Sequence, residues 1–201
     1  MLEPTSPQRL TAALRKFDEE NARDPVTEVV SGKELPRELA YAGWLSDWVL
    51  KLCPRAPEEL RLAARAQHLC RWKIPRNSYP MTRAGYLQWR EALKKFHAQS
   101  AGDILSELGY AQETVSRVRD LILKKNLKTD AEAQVLEDGL CLVFLEHQFA
   151  ALAGKTPENK MVSVLQKTWM KMTPRAREIA LTLQYGERER LLLEKALAGG
   201  G

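Results

Sequence analysis

Apolar residues recur along this chain mostly at spacings of three and four, the period of a helix with one buried face. Leu10, Ala13, Leu14 and Phe17 mark a first helix. Leu39, Ala42, Leu45, Val49 and Leu52 mark a second, over about 35–52. Pro54 and Pro57 separate it from a third, which carries Leu60, Ala63, Ala64, Gln67 and His68 and runs to Trp72. Ile74-Pro75-Arg76-Asn77-Ser78-Tyr79-Pro80 follows, and its two prolines exclude a continuous helix. Thr82 is placed to cap the next helix, which reads helical throughout to Leu108, long enough to allow a break near 97–102, and Gly109 stops it. Further helices are expected over 112–125 and 130–152, after Pro157, after Pro174, and over 187–198. The only β-branched run is Val26–Val30, between Pro25 and Gly32. The expectation is an all-α, single-domain orthogonal helical bundle of about eight helices over residues 1–198. Its C-terminal helices occupy 176–198, before a flexible Gly199-Gly200-Gly201 end.

Composition narrows the setting. Cys53, Cys70 and Cys141 are odd in number and form no CxxC pair, which points to reduced thiols. Residues 1–9, with Pro4 and Pro7, lack the apolar core of a signal peptide, and no apolar run approaches a membrane span. A cytoplasmic protein without a membrane partner is expected.

Charge is more informative in its distribution than in its net value of +5. Residues 61–95 hold nine cations against the single anion Glu91, a net +8, with Trp72 and Trp89 set among arginines. Residues 129–154 hold five anions and no Lys or Arg. The basic stretch suits an anionic ligand, a phosphate above all. Dinucleotide and P-loop glycine motifs, HExxH, zinc-type Cys/His spacing and the GxSxG elbow are all missing, which removes the commonest nucleotide, zinc-protease and serine-hydrolase readings.

Four polar residues sit on otherwise apolar helical faces: Glu38, His68, His97 and Asp138. A buried carboxylate needs a cation, an imidazole or a metal beside it. Two imidazoles with two carboxylates suit a divalent transition metal such as Mn, Fe, Zn or Ni. Arg71, Arg76 and Arg83 flank the proline loop, and Lys124 adds charge from another helix. Guanidinium groups grip phosphate oxygens in pairs, so these four are the expected phosphate ligands.

The block His68, Arg71-Trp72, Ile74-Pro75-Arg76, Tyr79-Pro80, Gly85-Tyr86, Trp89-Arg90 and Phe96-His97-Ala98 is distinctive. So is Glu132, Gln134, Glu137-Asp138 leading into Cys141–Glu146. Over about 34–175 the chain resembles the family called domain of unknown function 4202. The order of polar residues is also similar to that of HD-domain phosphohydrolases. Glu38 stands where that family has its first His, Gln67-His68 where it has the His-Asp doublet, and Asp138 where it has its final Asp. His97, followed by Gly102-Asp103-Ile104-Leu105, matches the later His. That resemblance implies an HD-like architecture and a metal held by Glu38, His68, His97 and Asp138, with His68 and Asp138 catalytic. The substrate would be a nucleotide or another phosphorylated small molecule. Two further readings stand beside it. One is a non-catalytic RNA- or tRNA-binding protein using residues 61–95. The other is a degenerate HD-like module that binds a partner.

Overall fold

In the computed structural model, which describes residues 7–198, the elements run α1 (Pro7–Asn21), β1 (Thr27–Val30), β2 (Lys33–Pro36), α2 (Arg37–Leu52), α3 (Glu58–Ala66), α4 (Arg83–Glu107), α5 (Gln112–Leu123), α6 (Ala131–Val143), α7 (Phe149–Ala153), α8 (Glu158–Trp169), α9 (Pro174–Leu181) and α10 (Glu187–Ala198). The described residues are all-α apart from one two-stranded hairpin. Expectations for residues 1–6 and 199–201 lie outside the described residues. No helix of the described residues is long and apolar enough to cross a membrane. The chain divides into two units, residues 1–133 and 134–201.

In the first unit α3 packs against α1, α2, α4 and α5. Its sequence explains that position. Leu60, Leu62, Ala63, Ala64 and Ala66 are all buried, so the helix is apolar around most of its girth. The alanines keep its sides thin and let neighbours approach. The buried residues of α1 include Leu10, Ala13 and Phe17, and those of α2 include Leu45, Val49 and Leu52. The expected third helix reaches Trp72, but α3 ends at Ala66. Cys70 takes a left-handed conformation (φ 55°), and its N–H donates to Oδ1 of the buried Asn21 at 3.1 Å. The chain reverses there, and His68 and Leu69 are left on the turn at the end of the central helix.

The second strand was hidden in Lys33-Glu34-Leu35-Pro36, which lacks β-branched residues. Its turn makes the hairpin. Ser31 (φ 50°) and Gly32 (φ 77°) give two consecutive positive φ angles between the paired Val30 and Lys33, the geometry that matches strand twist. The hairpin delivers the chain into α2. Asp24 Oδ1 accepts from Val26 N (3.0 Å), and its Oδ2 accepts from Glu38 N (3.1 Å). Arg37 N donates to Val26 O (2.8 Å). The first turn of α2 is thereby tied to the hairpin, with Glu38 held inward.

Helix α4 has no break near 97–102. Thr82 caps it as expected, accepting from Gly85 N at 3.1 Å. The Arg119 guanidinium of α5 lies over Gly102, in the space a Cβ there would take.

The second unit holds Leu136, Leu142, Phe149, Met161 and Leu165 in its core, with α8 and α7 each packed on α10. The run expected as one helix over 130–152 is interrupted by a π-helical turn at Phe144–Gln148. A π turn shifts the helical register, but the unbroken apolar run Leu140–Leu145 leading into it reads the same in either register.

Candidate functional site

Three of the four residues expected to carry the chemistry meet at the end of α3. Glu38 comes from the first turn of α2 and has only 1 % of its side chain exposed. Glu38 Oε2 lies 3.5 Å from Nδ1 of His68, outside hydrogen-bond geometry. The His68 ring stacks on Tyr41 of α2, with centroids 4.0 Å apart and planes 17° apart. Its centroid is 5.8 Å from that of His97 on α4. Nδ1 of the buried His97 pairs with Leu69 O at 2.8 Å. A carbonyl accepts only, so His97 carries its proton on Nδ1 and a lone pair on Nε2.

Three buried atoms here lack hydrogen-bond partners, Arg37 Nε, Glu38 Oε1 and His68 Nδ1. Such atoms are rare in folded proteins and cost free energy. Glu38 Oε1 is compensated only by charge, with Arg37 Nε at 3.7 Å and Arg71 Nη1 at 3.8 Å. The side chain of His68 is 23 % exposed although its Nδ1 is buried, and Nε2 is not among the buried atoms without a partner.

The electrostatics follow from burial among cations. Burial pushes the Glu38 carboxyl up, against the pull of Arg71 and Arg37. Burial holds His68 well below the ordinary imidazole range, and the charges of Arg71, Lys124, Arg90 and Arg37 push it further down. Burial, then the neighbouring His68, lowers His97 to about 3. Both imidazoles are therefore neutral at pH 7. The His68–Glu38 contact joins a carboxyl to an uncharged ring and is not an ion pair. Four cations act on one ring, with one carboxylate among them.

Backbone strain sits at the same place. Cys70 and Lys124 are both left-handed non-glycine residues, each costing about 1 kcal/mol or more. One follows His68 closely in the chain, and the other brings Lys124 from the end of α5 into the electrostatic range of His68.

The other expected residues fare differently. Asp138 belongs to the second unit, and its carboxylate is engaged there. Oδ1 accepts from Thr173 N (2.9 Å) and Gln134 Nε2 (3.0 Å), and Oδ2 pairs with the Thr173 hydroxyl (2.5 Å). Thr173 in turn caps α9 through Ala176 N (3.2 Å). Arg76 is spent on its own loop, donating to the carbonyls of Tyr79, Pro80 and Thr82. Trp89 is buried and donates from Nε1 to Ile74 O at 2.8 Å, so it braces that loop. Arg83 is exposed on the first residue of α4. Arg71 and Lys124 do reach the cluster.

Sequence reasoning missed Arg37, Tyr41 and Arg90. Helical spacing carried the signal for two of them. Tyr41 stands three residues after Glu38, and Arg90 stands seven before His97, so each shares a helix face with a residue already singled out.

Among the described residues, no group of three or more His, Cys, Asp or Glu is placed to hold an ion. The one carboxylate of the cluster already has two guanidinium groups against it. A dication brought here would meet a positive field, whereas an anion would be drawn in.

Compared with known proteins, the chain matches the family model described as "Domain of unknown function (DUF4202)" over residues 11–193, a wider span than the 34–175 expected from its motifs. No curated protein and no solved structure matches it.

Proposed function

The chain belongs to the DUF4202 family, and within it we propose a phosphohydrolase that acts on a nucleotide or another phosphorylated small molecule. One observation supports this reading: the neutral, partly exposed His68 imidazole beside an under-satisfied buried carboxylate, with four cations acting on it. In this reading Arg71 and Lys124, joined by Arg37 and Arg90, attract the phosphate and offset its charge as the reaction proceeds. His68 offers the lone pair that the chemistry needs, and Glu38 behind it holds the ring's polarity. His97, fixed on Leu69 O, supports the ring from the side. Mn, Fe, Zn and Ni were the cofactors expected from the order of ligands. This reading routes no step through them.

The test is hydrolysis of p-nitrophenyl phosphate and a panel of nucleoside phosphates by the purified chain, with and without EDTA. The expected result is turnover that survives chelation and falls at least ~100-fold in His68→Asn. The Arg71→Ala variant should raise KM more than it lowers kcat. Equal turnover by the parent and His68→Asn would sink the reading. So would no turnover combined with no binding of inorganic phosphate by calorimetry.

A further inference from the structure

Resting on that reading, we propose that His68 is itself the nucleophile, and that the phosphoryl group passes through a covalent bond to its Nε2.

The geometry leaves one nitrogen for the purpose. Nδ1 is buried against Glu38, and the ring is clamped by its stack on Tyr41. A clamped ring directs its in-plane Nε2 lone pair along one line, as in-line attack on phosphorus requires. His97 is nearly sealed, with Nδ1 committed to Leu69 O.

The charges around the ring then separate two roles that the same atoms would otherwise permit. A general base ends its step as an imidazolium. Here that cation would form within the electrostatic range of Arg71, Lys124, Arg90 and Arg37, around a ring whose Nδ1 is buried. A nucleophile ends its step with a phosphoryl group on Nε2, which carries negative charge into the same field. The four cations oppose the first product and stabilise the second. Glu38 completes the arrangement. Once Nε2 is phosphorylated the ring gains positive character, and its Nδ1–H faces Glu38 Oε2, now 3.5 Å away and short of a hydrogen bond. Closing that gap would satisfy Nδ1, which the resting site leaves without a partner.

The atoms balance with water as the only co-reactant. The Nε2 lone pair forms a P–N bond as the P–O bond to the leaving group breaks. The leaving oxygen departs with the electron pair and takes a proton from solvent. In the second half a water oxygen bonds to phosphorus, and the P–N electron pair returns to Nε2. The water's proton goes to solvent, and phosphate is released.

The experiment is to incubate the full chain with 32P-labelled phosphoramidate, and separately with p-nitrophenyl phosphate under rapid quench. A phosphohistidine is stable to alkali and labile to acid. The expected result is an alkali-stable, acid-labile label that mass spectrometry maps to the peptide bearing His68. A burst of p-nitrophenol approaching one per chain should accompany it. The label should fall at least ~50-fold in His68→Asn and persist in His147→Gln, a histidine of the π-helical turn paired with Glu146 at 3.1 Å. If His68→Asn fails to fold, mapping on the parent chain still decides. A label on another residue, or steady turnover with neither burst nor label, would overturn the nucleophile while leaving the hydrolase reading intact. The absence of both turnover and phosphate binding would remove the hydrolase reading itself.

Discussion

Glu38 and Asp138 are both buried carboxylates on apolar helices, one in each unit, and they are treated in opposite ways. Asp138 accepts from a backbone N–H, an amide and a hydroxyl, all within its own unit. Its surroundings replace what water would have supplied, and Thr173 passes the constraint on as the cap of α9. Glu38 has one oxygen without a hydrogen bond and the other 3.5 Å from a neutral imidazole. Its compensation is charge at 3.7 and 3.8 Å, held by side chains that are themselves partly exposed. A satisfied buried acid stabilises a fold. An under-satisfied one, among cations and beside strained backbone, is kept at a cost in stability, and such costs gather where a protein binds or reacts.

That contrast is easiest to break at Asp138. Replacing it with Ala strands Thr173 N and Gln134, and should cost about 3 kcal/mol of stability. Urea unfolding followed by circular dichroism measures it, and a loss below about 1 kcal/mol would mean that the carboxylate is not structural. The Asp138→Asn variant, which keeps one acceptor, should recover part of the loss.

The next effect is the response to acid. Folding holds His68 below its ordinary range and His97 at about 3, so between pH 6.5 and 3 the unfolded chain binds more protons than the folded one. The imidazoles' contribution to stability is therefore fully present above pH 6.5; that of His97 is lost as pH falls toward 3 and that of His68 as pH falls through its lowered folded value, at no more than about 1.4 kcal/mol per pH unit for each ring. Glu38 works against this trend. Its raised pKa gives a contribution that is present below about 4.5 and lost as pH climbs through its folded value. Unfolding midpoints between pH 7.5 and 4 should fall with acid. They should fall less steeply in His97→Asn, whose amide still donates to Leu69 O. An unchanged slope in that variant would show that His97 is not held neutral by the fold.

The smallest stability effect is expected at Glu38. Glu38→Gln removes a buried charge that lacks full compensation, so stability should stay within about 1 kcal/mol of the parent or rise slightly. Hydrolysis of p-nitrophenyl phosphate should nevertheless drop at least ~10-fold. A loss of stability as large as that for Asp138→Ala would erase the distinction between the two acids.

Much of this was legible in the sequence, for reasons particular residues make clear. Leu45, Leu60 and Phe17 lie in the core where the period of their segments places them. Thr82 caps α4, since a hydroxyl before a helical run has one favourable use. Glu38, His68 and His97 stood out as polar side chains on apolar faces, and they do meet. The misses have a common form. The end of α3 at Ala66 depends on Asn21, which lies 49 residues from Cys70. The length of the helical run over 83–108 allowed a break near 97–102, but α4 continues through it, packed against α5. Arg76 looked like a phosphate ligand by type, yet three carbonyls of its own loop already occupy it.

The sequence by itself determined which sides of which helices are buried, and so which polar residues would be forced inside. Period and capping are local properties, decided by residues a few positions apart. Only the tertiary structure decided which of those polar residues would be satisfied. The partner of Asp138 is 35 residues away, that of His97 is 28 away, and the carboxylate that fixes the Glu38 backbone is 14 away. A hydrogen bond forms or fails over a few tenths of an ångström, and packing sets such distances between segments that no local pattern relates.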